Sequence, residues 1–260
     1  MTPETLNELA TIVDDAARNT RSIHMLTGRH PELTIEDAYK IQRASMTRRV
    51  ERGERIVGMK MGLTSLAKMK QMGVHNPIYG HLTNTMELGD GATISKSNYC
   101  HPRVEPEIAF IMGGDLHGPT TPQRAMKAVG SVCAALEVID SRYENFKFTL
   151  IDVVADNASS TGFALGTKVV GSDELDIGNL GMVMEINGEV RETGSSAAIL
   201  EHPARSLAKL ADMLAEEGEY LKAGQIVLAG GATAAVALAA GDHVRLTVDG
   251  LGTVELRVDE

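Results

Sequence analysis

No tryptophan occurs in this chain, and aromatic residues make up only 3% of it. That scarcity argues against the stacking platforms that hold single-stranded nucleic acid. Basic residues are short too: 25 Lys and Arg stand against 35 Asp and Glu, a net charge of −10. Duplex nucleic acid, which is bound by neutralising its phosphates, is not an expected partner. The cysteines, Cys100 and Cys133, show no C-x-x-C spacing, so neither a disulfide framework nor a zinc site is expected. No apolar run approaches the ~20 residues needed to cross a bilayer, and Met1-Thr2-Pro3-Glu4-Thr5-Leu6 does not read as the start of a signal peptide. A cytoplasmic location without a membrane partner is the expectation. A glycine fingerprint after a strand and a P-loop are both missing, which leaves nucleotide cofactors without support. The eight histidines show no H-x-x-x-H pairing. His75 and His101 are read as polar packing or turn residues, with a lesser case for lining a pocket.

What is present suits an ordinary enzyme. The 260 residues, 43% of them hydrophobic, allow one large domain or a core with a smaller helical appendage. Leu6, Leu9, Val13 and Ala16 recur at helical spacing. A second helix is expected after Pro31, with Thr34 as N-cap, Asp37 three residues on, and Ile35, Ala38, Ile41 and Val50 in its apolar stripe. From Ile56 the pattern changes to short strand-like runs divided by glycine. Thr121-Pro122 opens a further helix through Met126 and Val129, and the segment from Ile151 to Ser160 reads as a polar loop. Asn187-Gly188 marks a hairpin between two strands. A helix follows His202-Pro203, and the tail alternates strands and glycine turns. The expected class is α+β, with a helical N-terminal region over residues 1–80 and a β-rich core over 81–260.

Three glutamates stand out in that core. Arg103-Val104-Glu105-Pro106-Glu107-Ile108-Ala109-Phe110 and Leu136-Glu137-Val138-Ile139-Asp140 both read as strands, and a strand sends residues two apart to one face. Glu105 and Glu107 therefore point together. Acidic side chains are rarely buried unless paired or bound to a cation. With Glu137 they suggest one hard cation, Mg2+ or Mn2+, held by oxygen alone, with coordination positions left open for water or substrate. The plainer reading, a solvated strand face, is opposed by the continuous apolar run that follows Glu107. Pro106 cannot donate to a ladder, which predicts an edge, a bulge or a strand start at that point.

Other positions carry less. Lys60 lies in the apolar, glycine-bracketed run Gly58-Met59-Lys60-Met61-Gly62-Leu63-Thr64-Ser65. It is either a surface lysine that snorkels from a strand end or a buried ammonium compensated by the carboxylates. Asn76-Pro77 reads as a turn. Asp156-Asn157-Ala158-Ser159-Ser160-Thr161-Gly162 is an ordinary polar loop or a cradle for a carboxylate. Gly230-Gly231-Ala232-Thr233 is a tight turn or a close backbone approach to a ligand.

Taken in order, the Lys60 run, Pro102-Arg103-Val104-Glu105-Pro106-Glu107, Leu136-Glu137-Val138-Ile139-Asp140-Ser141-Arg142 and Asp156-Asn157-Ala158-Ser159-Ser160 resemble the hydratase/decarboxylase branch of the fumarylacetoacetate hydrolase superfamily. The resemblance runs over nearly the whole chain. It implies a mixed β-roll core and a Mg2+ (or Mn2+) site made by Glu105, Glu107 and Glu137. Lys60 is then expected at the reacting part of the substrate, with Leu63, Asn76, Ser160 and Thr233 as substrate-binding positions. Hydratases of the branch carry an aspartate where this chain has Asn76. An amide is no general base, so the departure favours a reaction that needs none. The implied activity is decarboxylation of a 2-oxo dicarboxylate, 2-oxohex-3-enedioate. Hydration of the resulting dienoate is the alternative, and a C–C hydrolase or a non-catalytic subunit is a more distant one. Self-association and a complex with the hydratase of the same pathway are implied as partners.

Overall fold

The computed structural model describes residues 1–65, 69–70 and 74–260. Two helices lead the chain. In α1 (Pro3–Arg18) the Thr2 hydroxyl accepts from the Thr5 N–H, and α2 (Ile35–Glu51) starts with a reciprocal capping box between Thr34 and Asp37. They are tied together by the buried Asp14, which accepts from Arg48 Nε at 2.9 Å and from both terminal nitrogens of Arg52 at 2.6 Å. The buried face of α2 runs through Ala38, Tyr39, Ile41, Gln42, Ser45 and Met46. Ile35 and Val50, expected in that stripe, sit at the two ends of the helix and are exposed.

The strands are β1 (Ile56–Gly62), β2 (Ile78–Thr83), β3 (Glu87–Leu88), β4 (Ala92–Ser95), β5 (Pro102–Met112), β6 (Val129–Asp140) and β7 (Ser160–Leu165). They continue with β8 (Val170–Gly171), β9 (Gly181–Ile186), β10 (Glu189–Ser195), β11 (Ile226–Leu228), β12 (Val236–Ala237), β13 (His243–Val248) and β14 (Gly252–Asp259). Among the described residues one sheet runs β2-β1-β11-β5-β6-β7-β3, with β12 beside β5 and β8 beside β6. A second runs β10-β9-β13-β14-β4. Because β1 and β2 belong to the larger sheet, a division at residue 80 cuts through β2, and the helical N-terminal region gives way to sheet at Ile56. No helix among the described residues is long and apolar enough to cross a membrane.

The two faces of the β5–β6 pair have different jobs. Val104, Ile108, Phe110 and Met112, with Val132, Ala134, Leu136 and Val138, join Val244, Leu246, Val254 and Leu256 of the second sheet in the main core. On the other face Ala109, Cys133 and Ala135 form a small separate cluster with Leu82, Met86, Phe163 and Leu228. The three glutamates share that second face, farther along the same strands.

Pro106 sits inside β5 without a bulge, because the neighbouring strand is interrupted beside it. β11 pairs with Ala109–Ile111 and β12 with Arg103 and Val104. Between them the Pro106 carbonyl accepts from the Ala232 N–H at 3.0 Å, and a residue's N–H and C=O share a side, so no ladder donor is missed. Two other expectations change. The helix after Thr121 ends at Lys127, and Val129 begins β6. The supposed loop from Ile151 starts as a helix, Leu150–Ala155, capped by a Thr149–Asp152 box. Asn187 and Gly188, with φ of 57° and 79°, make the expected hairpin turn.

Candidate metal centre and active site

Glu105 and Glu137 are direct partners across the β5–β6 ladder, and Glu107 lies two residues along from Glu105. One carboxylate oxygen from each falls within 4.8 Å of the other two. Glu107 and Glu137 are fully buried. Glu107 Oε2 accepts from the Gly230 N–H at 2.7 Å, while Glu107 Oε1 and Glu137 Oε1 have no hydrogen-bond partner. Burial, then the charges of Glu137 and Glu105, push the Glu107 carboxyl well above the usual carboxylate range, against the pull of Lys60 and the Gly230 N–H. Orphaned carboxylate oxygens converging in a largely buried site fit a hard divalent cation, which takes oxygen ligands.

Gly230 and Gly231 make the approach possible. A Cβ on Gly231 would lie 3.0 Å from the Glu105 carboxyl carbon, and one on Gly230 (φ 113°) would run into Thr64. The close backbone approach expected of this turn is therefore to the glutamates themselves.

Lys60 is only 2% exposed, and its Nζ lies 3.0 Å from Glu137 Oε2. The snorkelling alternative is excluded. Burial alone would lower its pKa, but the charges of Glu137, Glu105 and Glu107 outweigh that and the net shift is upward. With no cation among the carboxylates, Lys60 is thus favoured as an ammonium.

Lys60, Glu105, Leu63 and Ser159 line a cavity of about 120 Å³ whose remaining wall is largely apolar, including Ile78, Ile139, Phe146, Phe148 and Val153. Leu63 turns into it through a left-handed backbone (φ 54°) at the end of β1. A larger groove of about 490 Å³ lies alongside and shares Ile78 and Leu150, but none of the three glutamates lines it. The chemistry belongs to the smaller cavity.

The serine cradle is built on strain. Asn157, Ala158 and Ser159 are all left-handed, with φ of 50°, 50° and 58°. Asn157 brackets the backbone of His81, its Oδ1 accepting from the His81 N–H at 2.8 Å and its Nδ2 donating to the carbonyl at 2.9 Å. Gly80 lets this turn approach, since a Cβ there would lie 2.5 Å from the Asn157 carbonyl oxygen. Arg142 holds the near side, donating from Nε to Asp156 Oδ1 at 2.5 Å and from Nη2 to the Asp156 carbonyl at 2.7 Å. The buried hydroxyls of Ser159 and Ser160 have no partner. Ser159 lines the cavity, and Ser160 stands opposite Ile139 in the β6–β7 ladder.

Of the expected substrate-binding positions Leu63 is among the residues lining the cavity and Ser160, Asn76 and Thr233 are not, the last two lying elsewhere. Asn76 is exposed and lines the larger groove. Thr233 hydrogen-bonds its own neighbour, from Oγ1 to the Ala234 carbonyl at 3.1 Å, and packs its methyl towards Gly194 of β10. Neither lines the smaller cavity. His75 lines the larger groove, and His101 holds the end of β6 through Asp140 and the Ser141 carbonyl. Ser159, Phe146, Phe148 and Thr149 were not singled out by the sequence. The T-x-x-D pattern at Thr149 was a usable signal, whereas a left-handed turn without glycine leaves none.

Residues 58–259 match the family described as fumarylacetoacetate (FAA) hydrolase, C-terminal. The chain is 48% identical over 250 residues to a 4-oxalocrotonate decarboxylase of Pseudomonas putida, covering 96% of this chain and 95% of that one. It is 37% identical over 249 residues to a 2-hydroxyhexa-2,4-dienoate hydratase of Comamonas testosteroni, with 95% and 94% covered. The solved structure of 4-oxalocrotonate decarboxylase from Pseudomonas putida G7, complexed with magnesium and adipate, superposes with a TM-score of 0.97 at 46% identity, covering 99% of this chain and 98% of that one.

Proposed function

Because this chain belongs to the fumarylacetoacetate hydrolase family, we propose that its buried carboxylate centre serves the metal-dependent decarboxylation of 2-oxohex-3-enedioate (4-oxalocrotonate) to 2-hydroxypenta-2,4-dienoate and CO2. The observation that carries this is the convergence of Glu105, Glu107 and Glu137 on one another, with Lys60 against Glu137, beside a small cavity that Glu105 and Lys60 line. Glu105, Glu107 and Glu137 would hold Mg2+ or Mn2+. Bound there, the cation supplies a Lewis acid that takes up negative charge developing at the 2-oxo end of the substrate.

The chain's own groups do the rest. Lys60 Nζ fixes the Glu137 carboxylate and places a positive charge where the dienolate forms, a preorganised arrangement of the kind that dominates many enzymatic accelerations. The unpartnered Ser159 and Ser160 hydroxyls are donors available to a substrate carboxylate. Leu63, Ile78, Ile139, Phe146, Phe148 and Val153 exclude water from the carbon chain. A far carboxylate set against apolar side chains is poorly solvated, which favours its departure as neutral CO2.

Two observations weigh against the alternatives. The decarboxylase of Pseudomonas putida is 48% identical to this chain and the hydratase of Comamonas testosteroni 37%. A C–C hydrolase needs an activated water, and among the described residues no histidine lines the cavity. We place the enzyme in the cytoplasm, in keeping with its two free cysteines, and as a self-associating subunit. It would work beside the pathway hydratase, because the dienoate it releases is the class of compound that the Comamonas relative's name specifies. The test is to supply purified protein and Mg2+ with each substrate in turn. CO2 release from the enedioate with little consumption of the dienoate supports decarboxylation; the reverse pattern assigns the hydratase reaction.

A further inference from the structure

Arg103 shares the face of β5 that carries Glu105, two residues before it, and its partner across the ladder is Ile139. Glu105 and Ile139 both line the catalytic cavity, as does Phe146. The guanidinium of Arg103 lies over the Phe146 ring, its Cζ 4.0 Å from the ring centroid. Among the described residues the Phe146 ring is the contact that its guanidinium makes. The ring is presented by two successive left-handed residues, Asn145 (φ 57°) and Phe146 (φ 56°), a backbone that non-glycine residues seldom adopt and that clusters at ligand sites. Phe146 lines the cavity and Arg103 does not, so one aromatic ring stands between this cation and the cavity.

We infer that Arg103, acting through the Phe146 ring, selects substrates that carry a second, distal carboxylate. This rests on the decarboxylase reading above. Lys60 is already engaged by Glu137, so the far end of a dicarboxylate needs another cation. A guanidinium behind one ring still attracts it, because the medium between them is protein and not bulk water.

The interposed ring matters to the chemistry. A direct bidentate clamp would stabilise the carboxylate that has to leave and so raise the barrier. In the step itself the C5–C6 bond breaks, its electron pair moves through the conjugated carbons to the C2 oxygen, C6 leaves as CO2, and a solvent proton completes the dienol. The charge that Arg103 attracts disappears from that end as the bond breaks. The attraction therefore lowers KM without raising kcat, and Arg103 is a specificity and positioning residue.

The test uses the Mg2+-loaded enzyme with 2-oxoadipate and 2-oxohexanoate as competitive inhibitors, chains of equal length with and without the distal carboxylate. R103Q is expected to weaken 2-oxoadipate roughly 10-fold while 2-oxohexanoate stays within about 2-fold. Its KM for the enedioate should rise with kcat unchanged or higher, and R103K should restore most of the 2-oxoadipate affinity. Equal weakening of both inhibitors, no weakening of either, or a fall in kcat at constant KM overturns the inference. The wild type gives a check that needs no variant: added salt should weaken 2-oxoadipate more steeply than 2-oxohexanoate, and parallel slopes contradict the role. A wild-type enzyme that releases no CO2 would instead count against the reading of the function, before any variant is made.

Discussion

Glu105 and Glu137 face one another across the β5–β6 ladder, a like-charge pair placed directly opposite, where a sheet tolerates it least. Glu107 adds a third carboxyl within reach of both. The centre is therefore a site of stored repulsion that a cation relieves.

That repulsion sets the first prediction. Glu107→Gln keeps an acceptor for the Gly230 N–H and replaces a carboxyl whose ionisation burial and its neighbours oppose. Chelator-treated E107Q should be at least as stable as chelator-treated wild type, by up to on the order of 1 kcal/mol. It should also lose most of the rise in Tm that Mg2+ gives the wild type. Thermal melts with and without Mg2+ check both parts. A marked loss of stability in metal-free E107Q would contradict the stored repulsion.

Lys60 separates chemistry from metal holding. Lys60→Met keeps most of the side-chain volume but removes the ammonium beside Glu137. Turnover should fall by roughly 10²–10³, the usual cost of deleting one preorganised charge-stabilising group, with a smaller change in Mg2+ affinity measured by calorimetry. Unchanged turnover would remove Lys60 from the reaction.

Gly80 should matter although it is not among the residues lining the cavity. In Gly80→Ala the new methyl meets the Asn157 carbonyl oxygen at 2.5 Å, so the left-handed turn that presents Ser159 has to move. KM should rise, as it should in Ser159→Ala, where a lost hydrogen bond to a charged group is worth roughly 1.5–3 kcal/mol. Steady-state kinetics on the two variants test this. Normal KM in both would dissociate the turn from substrate binding.

His81 gives a pH dependence. Burial, reinforced by the Arg43 charge and opposed by Asn157, lowers its pKa from 6.5 to about 4. As pH falls below 6.5 the unfolded chain takes up a proton at His81 that the folded protein refuses, so stability drops through the window down to about 4. His81→Gln should flatten Tm across that window. An unchanged slope would assign the dependence to other groups.

Much of this was legible in the sequence where local chemistry alone decides the structure. The strand period placed Glu105 and Glu107 on one face, caps marked α2 and the helix after Thr121, and Asn187-Gly188 announced its hairpin. What the sequence hid depends on distant packing. Pro106 sits mid-strand because a loop from more than a hundred residues later interrupts its neighbour. The choice of Ser159 as cavity-lining serine depends on a left-handed turn clamped by Gly80, His81 and Arg142, all of them distant from it in sequence. Lys60 could be read either as exposed or as buried until the sheet brought Glu137 to it.

The most direct test follows a carbon label. The C6 carboxyl of 2-oxohex-3-enedioate is enriched with 13C, and chelator-treated enzyme is monitored by NMR before and after Mg2+ is restored. The expected result is no turnover without metal, then transfer of the label to CO2 and bicarbonate, one per dienoate formed. Label retained in a hydrated organic product, or release that ignores the metal, would contradict a decarboxylase built on Glu105, Glu107 and Glu137.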